Sequence, residues 1–266
     1  MRYMGRVEGE MPSRNPFDPQ GDYGADWVRV RVVDQAPFEM MTATEQCFGL
    51  TLSTACPGWA FRMMDFIGYH EDRGCHVWID CTPAHFAWAE RAYAGHSRQE
   101  MRRRAYEPKV LCHSTTPAGW EGIRQAGALK SWNQLRQAGT IAEQRPIGAL
   151  LGDPDDFSDY VMLGNGVAGE IVVASRQAGR LVMDIHALYR PGARIYFETE
   201  RLMRQGLWIR DGAHFKTQAP LPLALAGYVA LPQNLNVEPL CTPERFAAAA
   251  DEAAYRALGG CVQERS

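Results

Sequence analysis

No run of eighteen or more apolar residues occurs in the 266-residue chain, so no segment has the length and character of a membrane-spanning helix. A surplus of one charge is also missing. The 28 basic and 31 acidic residues leave a net charge of −3, which excludes a uniformly cationic nucleic-acid coat and leaves room only for a local basic patch. The cationic run Arg102, Arg103 and Arg104 reads as the solvated face of a helix. The seven cysteines are odd in number and scattered, so a disulfide framework is not expected and the thiols are read as reduced. Cys75, Cys81, His85 and His96 lack the tight C-x2-4-C pairs of a structural zinc site, and no metal is expected there. The P-loop, a G-x-G-x-x-G after a strand, the G-x-S-x-G elbow and the H-E-x-x-H helix are read as absent as well. Residues 1–26 have no apolar centre of the signal-peptide kind. They read as a mobile polar leader, with a cytoplasmic location as the expectation.

What is present is enough apolar residue, 46%, for a substantial core, and a length that suits one main domain with an added unit. In "WVRVRVV" (27–33) valines alternate with Arg29 and Arg31, the period of a half-buried strand. "CHVWIDC" alternates in the same way. Thr82 and Pro83 then cap and open a helix running toward the Arg-rich stretch, until Pro108 interrupts the pattern. These features predict a small α+β unit over 27–108. Its aromatic and arginine residues can serve either as ordinary packing or as a surface that meets bases and phosphates.

The second half opens with "KVLCH", a strand, followed by Thr116-Pro117 as a helix start and Gly127 as its close. Short strands are expected at "DYVML", "GEIVVAS", "RLVMDIHAL", "ARIYFETE" and "GLWIRD", with "LGDPDDFSDY" and "LGNGVAG" as loops between them. "TPERFAAAADEAAYRALGG" is a capped amphipathic helix occupying 241–266.

The order strand, "CHSTT", helix "GWEGIRQAG", "AL" resembles the opening of the ADP-ribosyltransferase superfamily, in which a strand ends in H-[GST]-T. "LVMDIHALYRPGARIYFETE" followed by "QGLWIRD" is similar to the last strands of the RNA 2'-phosphotransferase branch, and "FSDYVML" to the central strand of DarT-type DNA-modifying toxins. The resemblance covers roughly residues 109–233. It implies an α+β fold with a split antiparallel β-sheet core and short helices over 109–240, with NAD+ as substrate.

On that resemblance His113 holds a ribose hydroxyl of the adenosine half, assisted by Ser114 or Thr115, and Tyr160 stacks on nicotinamide. Glu200 or Glu198 stabilises the cationic sugar formed as nicotinamide departs. Arg136 and Arg145 are the cations for the pyrophosphate. Taken without the resemblance, His113 and Thr115 satisfy strand-end backbone groups, Tyr160 packs, and the glutamates are exposed edge residues. The RNA 2'-phosphotransferase branch has no glutamate at that position. Three functions therefore stand open: NAD+-dependent ADP-ribosyl transfer to a nucleic acid or protein acceptor, removal of an RNA 2'-phosphate with NAD+, and a non-catalytic binding module on the same fold. The oligomeric state is not readable.

Overall fold

The structure is a computed structural model and describes residues 1–6, 12–36, 40–43, 47–141, 146 and 154–259. The chain mixes helices with several sheets and divides into two compact units. The first comprises Met1–Glu100, Leu151–Pro154 and Arg210–His214; the second comprises Met101–Leu150, Asp155–Ile209 and Phe215–Ser266. Among the described residues no helix is long and apolar enough to cross a membrane.

The first unit carries a five-stranded sheet built from β1 (Arg2–Met4), β2 (Trp27–Val33), β3 (Met40–Ala43), β4 (Phe48–Ser53) and β5 (His76–Asp80), in the order β1-β5-β2-β4-β3. β1, β5, β2 and β4 run parallel, and β3 is antiparallel to β4. One face presents Val28, Val30, Val32, Leu50 and Leu52 to helix α1 (Trp59–Asp72). Each of these fully buried side chains contributes about 1.5–3 kcal/mol of hydrophobic stabilisation. No helix is expected over 59–72 from the sequence, yet Ala60, Met63, Phe66, Ile67 and His70 recur at helical spacing and are buried.

On the other face β2 is more enclosed than a half-buried strand, because Asp80 takes both arginines. It hydrogen-bonds Arg29 and lies 3.5 Å from Arg31 Nε. The leader does not hang free: β1 pairs with β5, and Tyr3 and Phe17 pack on Trp27 and Trp78, with ring centroids 4.8 and 5.5 Å apart. Helix α2 (Pro83–Tyr93) starts as expected, with the Thr82 hydroxyl accepting the His85 N–H at 3.1 Å. It stops well before the arginine run, because the chain turns at Gly95 with φ +80°, a conformation that favours glycine.

The second unit holds three small antiparallel sheets. β6 (Val110–Thr115), β9 (Ala193–Glu198) and β13 (Tyr228–Ala230) form one, in the order β13-β9-β6. β8 (Val161–Leu163), β10 (Trp208–Arg210) and β11 (Phe215–Thr217) form the second, ordered β10-β11-β8, and β7 (Ala128–Leu129) pairs with β12 (Leu221–Pro222). A single bridge between Cys112 and Gly164 links the first two sheets. Their shared core includes Leu111, Val161, Ile195, Phe197 and Leu202.

Helix α3 (Pro117–Ala126) begins at the Thr116 cap and ends at Gly127 in the left-handed region, as the sequence predicts. After it come α4 (Trp132–Gln137), α5 (Ala168–Ala178), α6 (Thr199–Arg204) and α7 (Pro243–Ala257). Phe246, Ala247, Ala250 and Ala254 bury the apolar side of α7 within this unit.

Two expected strands are not found. "GEIVVAS" is helix α5, whose buried positions Glu170, Val173 and Ala174 follow helical spacing; a short apolar run fits a buried strand or a buried helix equally well. "RLVMDIHAL" is irregular, with Val182 N–H on the Ser175 hydroxyl, the Asp184 side chain accepting His186 N–H, and one bridge from Tyr189 to Cys241.

Candidate functional site

The two faces of β6 are used differently. Leu111 points into the core shared by the two sheets, while Val110 and Cys112 face a second cluster with Tyr196 and α7. Strand alternation therefore puts His113 on the Leu111 side and Ser114 on the other.

His113 Nδ1 lies 3.0 Å from the Met162 carbonyl on β8, so Nδ1 donates and Nε2 remains an acceptor in the neutral ring. Burial lowers its pKa, the Met162 contact works the other way, and the nearby Arg176 guanidinium depresses it further. A neutral imidazole that accepts through Nε2 is suited to a hydroxyl donor.

Of the neighbouring groups, the Arg176 guanidinium acts on the ring, and a second cluster lies along β8. Arg176 of α5 lies over the Trp132 ring of α4 at 5.4 Å. Tyr160 is half-buried in the bend just before β8, two residues before Met162. The wholly buried Lys216, in register with Met162, sits 4.6 Å from the Tyr160 ring and 4.7 Å from Phe157, with Asp156 Oδ2 at 3.4 Å. Buried between two rings and a carboxylate, Lys216 fixes the turn that carries Tyr160.

The expected loop "LGNGVAG" is a glycine turn from β8 into α5, and its Gly164, Gly166 and Gly169 form a G-x-G-x-x-G after a strand, contrary to the expectation that the chain has none. Gly166 has φ +60°. A Cβ at Gly169 would lie 2.7 Å from Ser114 Oγ, so this glycine lets α5 pack closely on β6. No side chain caps the amino end of α5, and its first turn packs on the Ser114 face of β6, away from His113.

Ser114 faces a buried polar network. Its hydroxyl donates to Glu170 Oε1 at 2.5 Å, and Tyr189 donates to Oε2 at 2.6 Å. Arg194 Nη1 reaches the same carboxylate at 3.2 Å, and its Nη2 reaches Asp251 Oδ1 at 3.0 Å and the Gly166 carbonyl at 2.6 Å. Tyr196 donates to Asp251 at 2.7 Å. Burial works against the Arg194 charge, and Cys112, Tyr196, Asp251 and Glu170 together outweigh it, so its pKa is raised. Burial and the Glu170 carboxylate raise the Tyr189 pKa, and burial pushes the Cys112 thiol up to about 12. Arg194 and Glu170 are wholly buried, so this network anchors the fold and does not face a substrate.

The remaining expected residues lie apart. Thr115 is buried against the first turn of α3, where a Cβ at Gly119 would lie 2.2 Å from its Oγ1. Glu198, exposed, pairs with Val110 at the end of β9, three residues beyond His113's partner Ile195 and on the Tyr196 face. Glu200 does not extend the strand. It sits in α6, exposed, 3.8 Å from Arg103 and 4.0 Å from Arg204. Arg136 is exposed one turn beyond Trp132 on α4. Arg145 lies outside the described residues. Among the described residues no group of three or more His, Cys, Asp or Glu is placed to hold a metal ion. Comparison of the chain with family models, with curated proteins and with solved structures gives no match.

Proposed function

We propose that the second unit is a domain of the ADP-ribosyltransferase kind that binds NAD+ and transfers its ADP-ribosyl group. The observation that carries this reading is the fixed, neutral His113 at the junction of the two sheets, with Tyr160 two residues from the carbonyl that orients it. His113 Nε2 accepts a ribose hydroxyl, and the Tyr160 ring meets the departing nicotinamide. The glycosidic bond breaks with its electron pair leaving on nicotinamide, and the acceptor attacks the anomeric carbon.

A second reading concerns the acceptor. Glu198 lies on the other face of β9 and Glu200 in helix α6, whereas the Arg176 guanidinium does bear on His113. An acceptor that brings its own negative charge, such as an RNA 2'-phosphate, needs no protein carboxylate to offset the developing cation. The test is incubation with NAD+ alone, with plain RNA and with 2'-phosphorylated RNA. Free nicotinamide together with a cyclic phosphate of ADP-ribose supports the phosphate acceptor. Nicotinamide with ADP-ribose attached to RNA or protein supports transfer to another nucleophile. No nicotinamide release in any arm removes the catalytic reading.

A further inference from the structure

The carboxyl edge of the parallel strands in the first unit gathers polar side chains and the exposed Trp88 beside Trp59, a ring at the rim of the core. In open α/β sheets this edge is where ligands settle. Asp34 follows β2, and its Oδ1 accepts from His85 Nε2 at 3.0 Å and from the Thr54 hydroxyl at 3.4 Å. His85 lies in the first turn of α2 with its ring edge-on to Trp59, centroids 5.9 Å apart. Trp59 stacks on Trp88 at 5.0 Å and 16°.

Trp88 follows His85 by three residues on the same face of α2 and is 48% exposed although one side of its ring is covered by Trp59. The Asp34 side chain is 61% exposed, so its carboxylate faces outward beside the ring pair. The His85 Nδ1 atom is buried without a hydrogen-bond partner among the described residues, which core packing alone would not favour.

We propose that this edge is a nucleobase site that prefers guanine. The open face of Trp88 stacks the base. The Asp34 carboxylate, an acceptor only, takes the adjacent N1–H and N2–H2 donors that guanine alone among the common bases presents on one edge, and His85 with Thr54 holds it in place. The site stands independently of the transferase reading of the second unit. The base can arrive on a free nucleotide or in a single strand of nucleic acid.

The test is calorimetric titration of the full chain with GMP, AMP, and short single-stranded RNAs with and without guanine, repeated on Trp88→Ala and Asp34→Asn. Circular dichroism checks the fold of each variant. Saturable GMP binding, weaker by about tenfold to a hundredfold in both variants, supports a free-nucleotide site. The same loss seen only with guanine-containing RNA supports a nucleic-acid site. Binding unchanged in folded Asp34→Asn, equal affinity for GMP and AMP, or no binding in any arm overturns the proposal. If Trp88→Ala does not fold, Asp34→Asn decides alone.

Discussion

Replacing Arg194 by methionine keeps a long apolar stem in the space of the arginine and deletes its guanidinium. In the structure that guanidinium joins Glu170, Asp251, Tyr196 and the Gly166 carbonyl, linking β9 to α5 and α7. Without it the wholly buried Glu170 retains, among the described residues, the Ser114 and Tyr189 hydroxyls. Removing one member of a buried pair costs about 3–5 kcal/mol, because the other charge is left uncompensated. At roughly 2–4 °C per kcal/mol for a chain of this size, the thermal midpoint should fall by about 6–20 °C. Glu170→Gln on the same background neutralises the stranded carboxylate, so the double variant should lose less than the sum of the singles, by roughly 0.5–3 kcal/mol. Urea unfolding with amide exchange of α5 and α7 reads both effects. An Arg194→Met protein within about 1 kcal/mol of the parent, or strictly additive single and double variants, would refute the account of this network as the anchor of the unit.

The depressed pKa of His113 sets a pH dependence. The unfolded ring takes its proton near pH 6.5, so stability is fully present above that value and declines as pH falls through the lower folded pKa. NAD+-dependent nicotinamide release should be level above pH 6.5 and fall on acidification, and His113→Gln should flatten that limb. Gly192→Ala places a Cβ 2.2–2.4 Å from backbone atoms of Thr115 and Thr116, which have no side-chain freedom to yield, so its urea midpoint should correspond to a loss of about 1–3 kcal/mol. Gly122→Ala in α3 meets nothing within 4 Å and should raise stability by about 0.5–1 kcal/mol in the same assay.

Much of the local structure was legible. The valine alternation of β2, the Thr82-Pro83 and Thr116-Pro117 starts and the Gly127 close are each set by a few neighbouring residues, and each holds. Helix α5 was not, because "GEIVVAS" is too short and apolar for its period to separate helix from strand. Glu200 was misplaced for a related reason: Glu198 takes an extended conformation and caps a helix that starts at Thr199, so the alternation of β9 ends two residues before Glu200. The G-x-G-x-x-G at 164–169 was missed, because it follows a strand of only three residues and opens a helix expected as a strand. Arg194 was invisible because its carboxylates are 24 and 57 positions away, and no local spacing announces a partner at that distance.

The most direct test of the central claim is the affinity of a hydrolysis-resistant NAD+ analogue for the intact chain and for His113→Ala. Loss of one hydrogen bond to a buried polar group predicts saturable binding to the parent, weakened by about tenfold to a hundredfold in the variant. Equal affinity for the two proteins, or no binding to the parent, would contradict it.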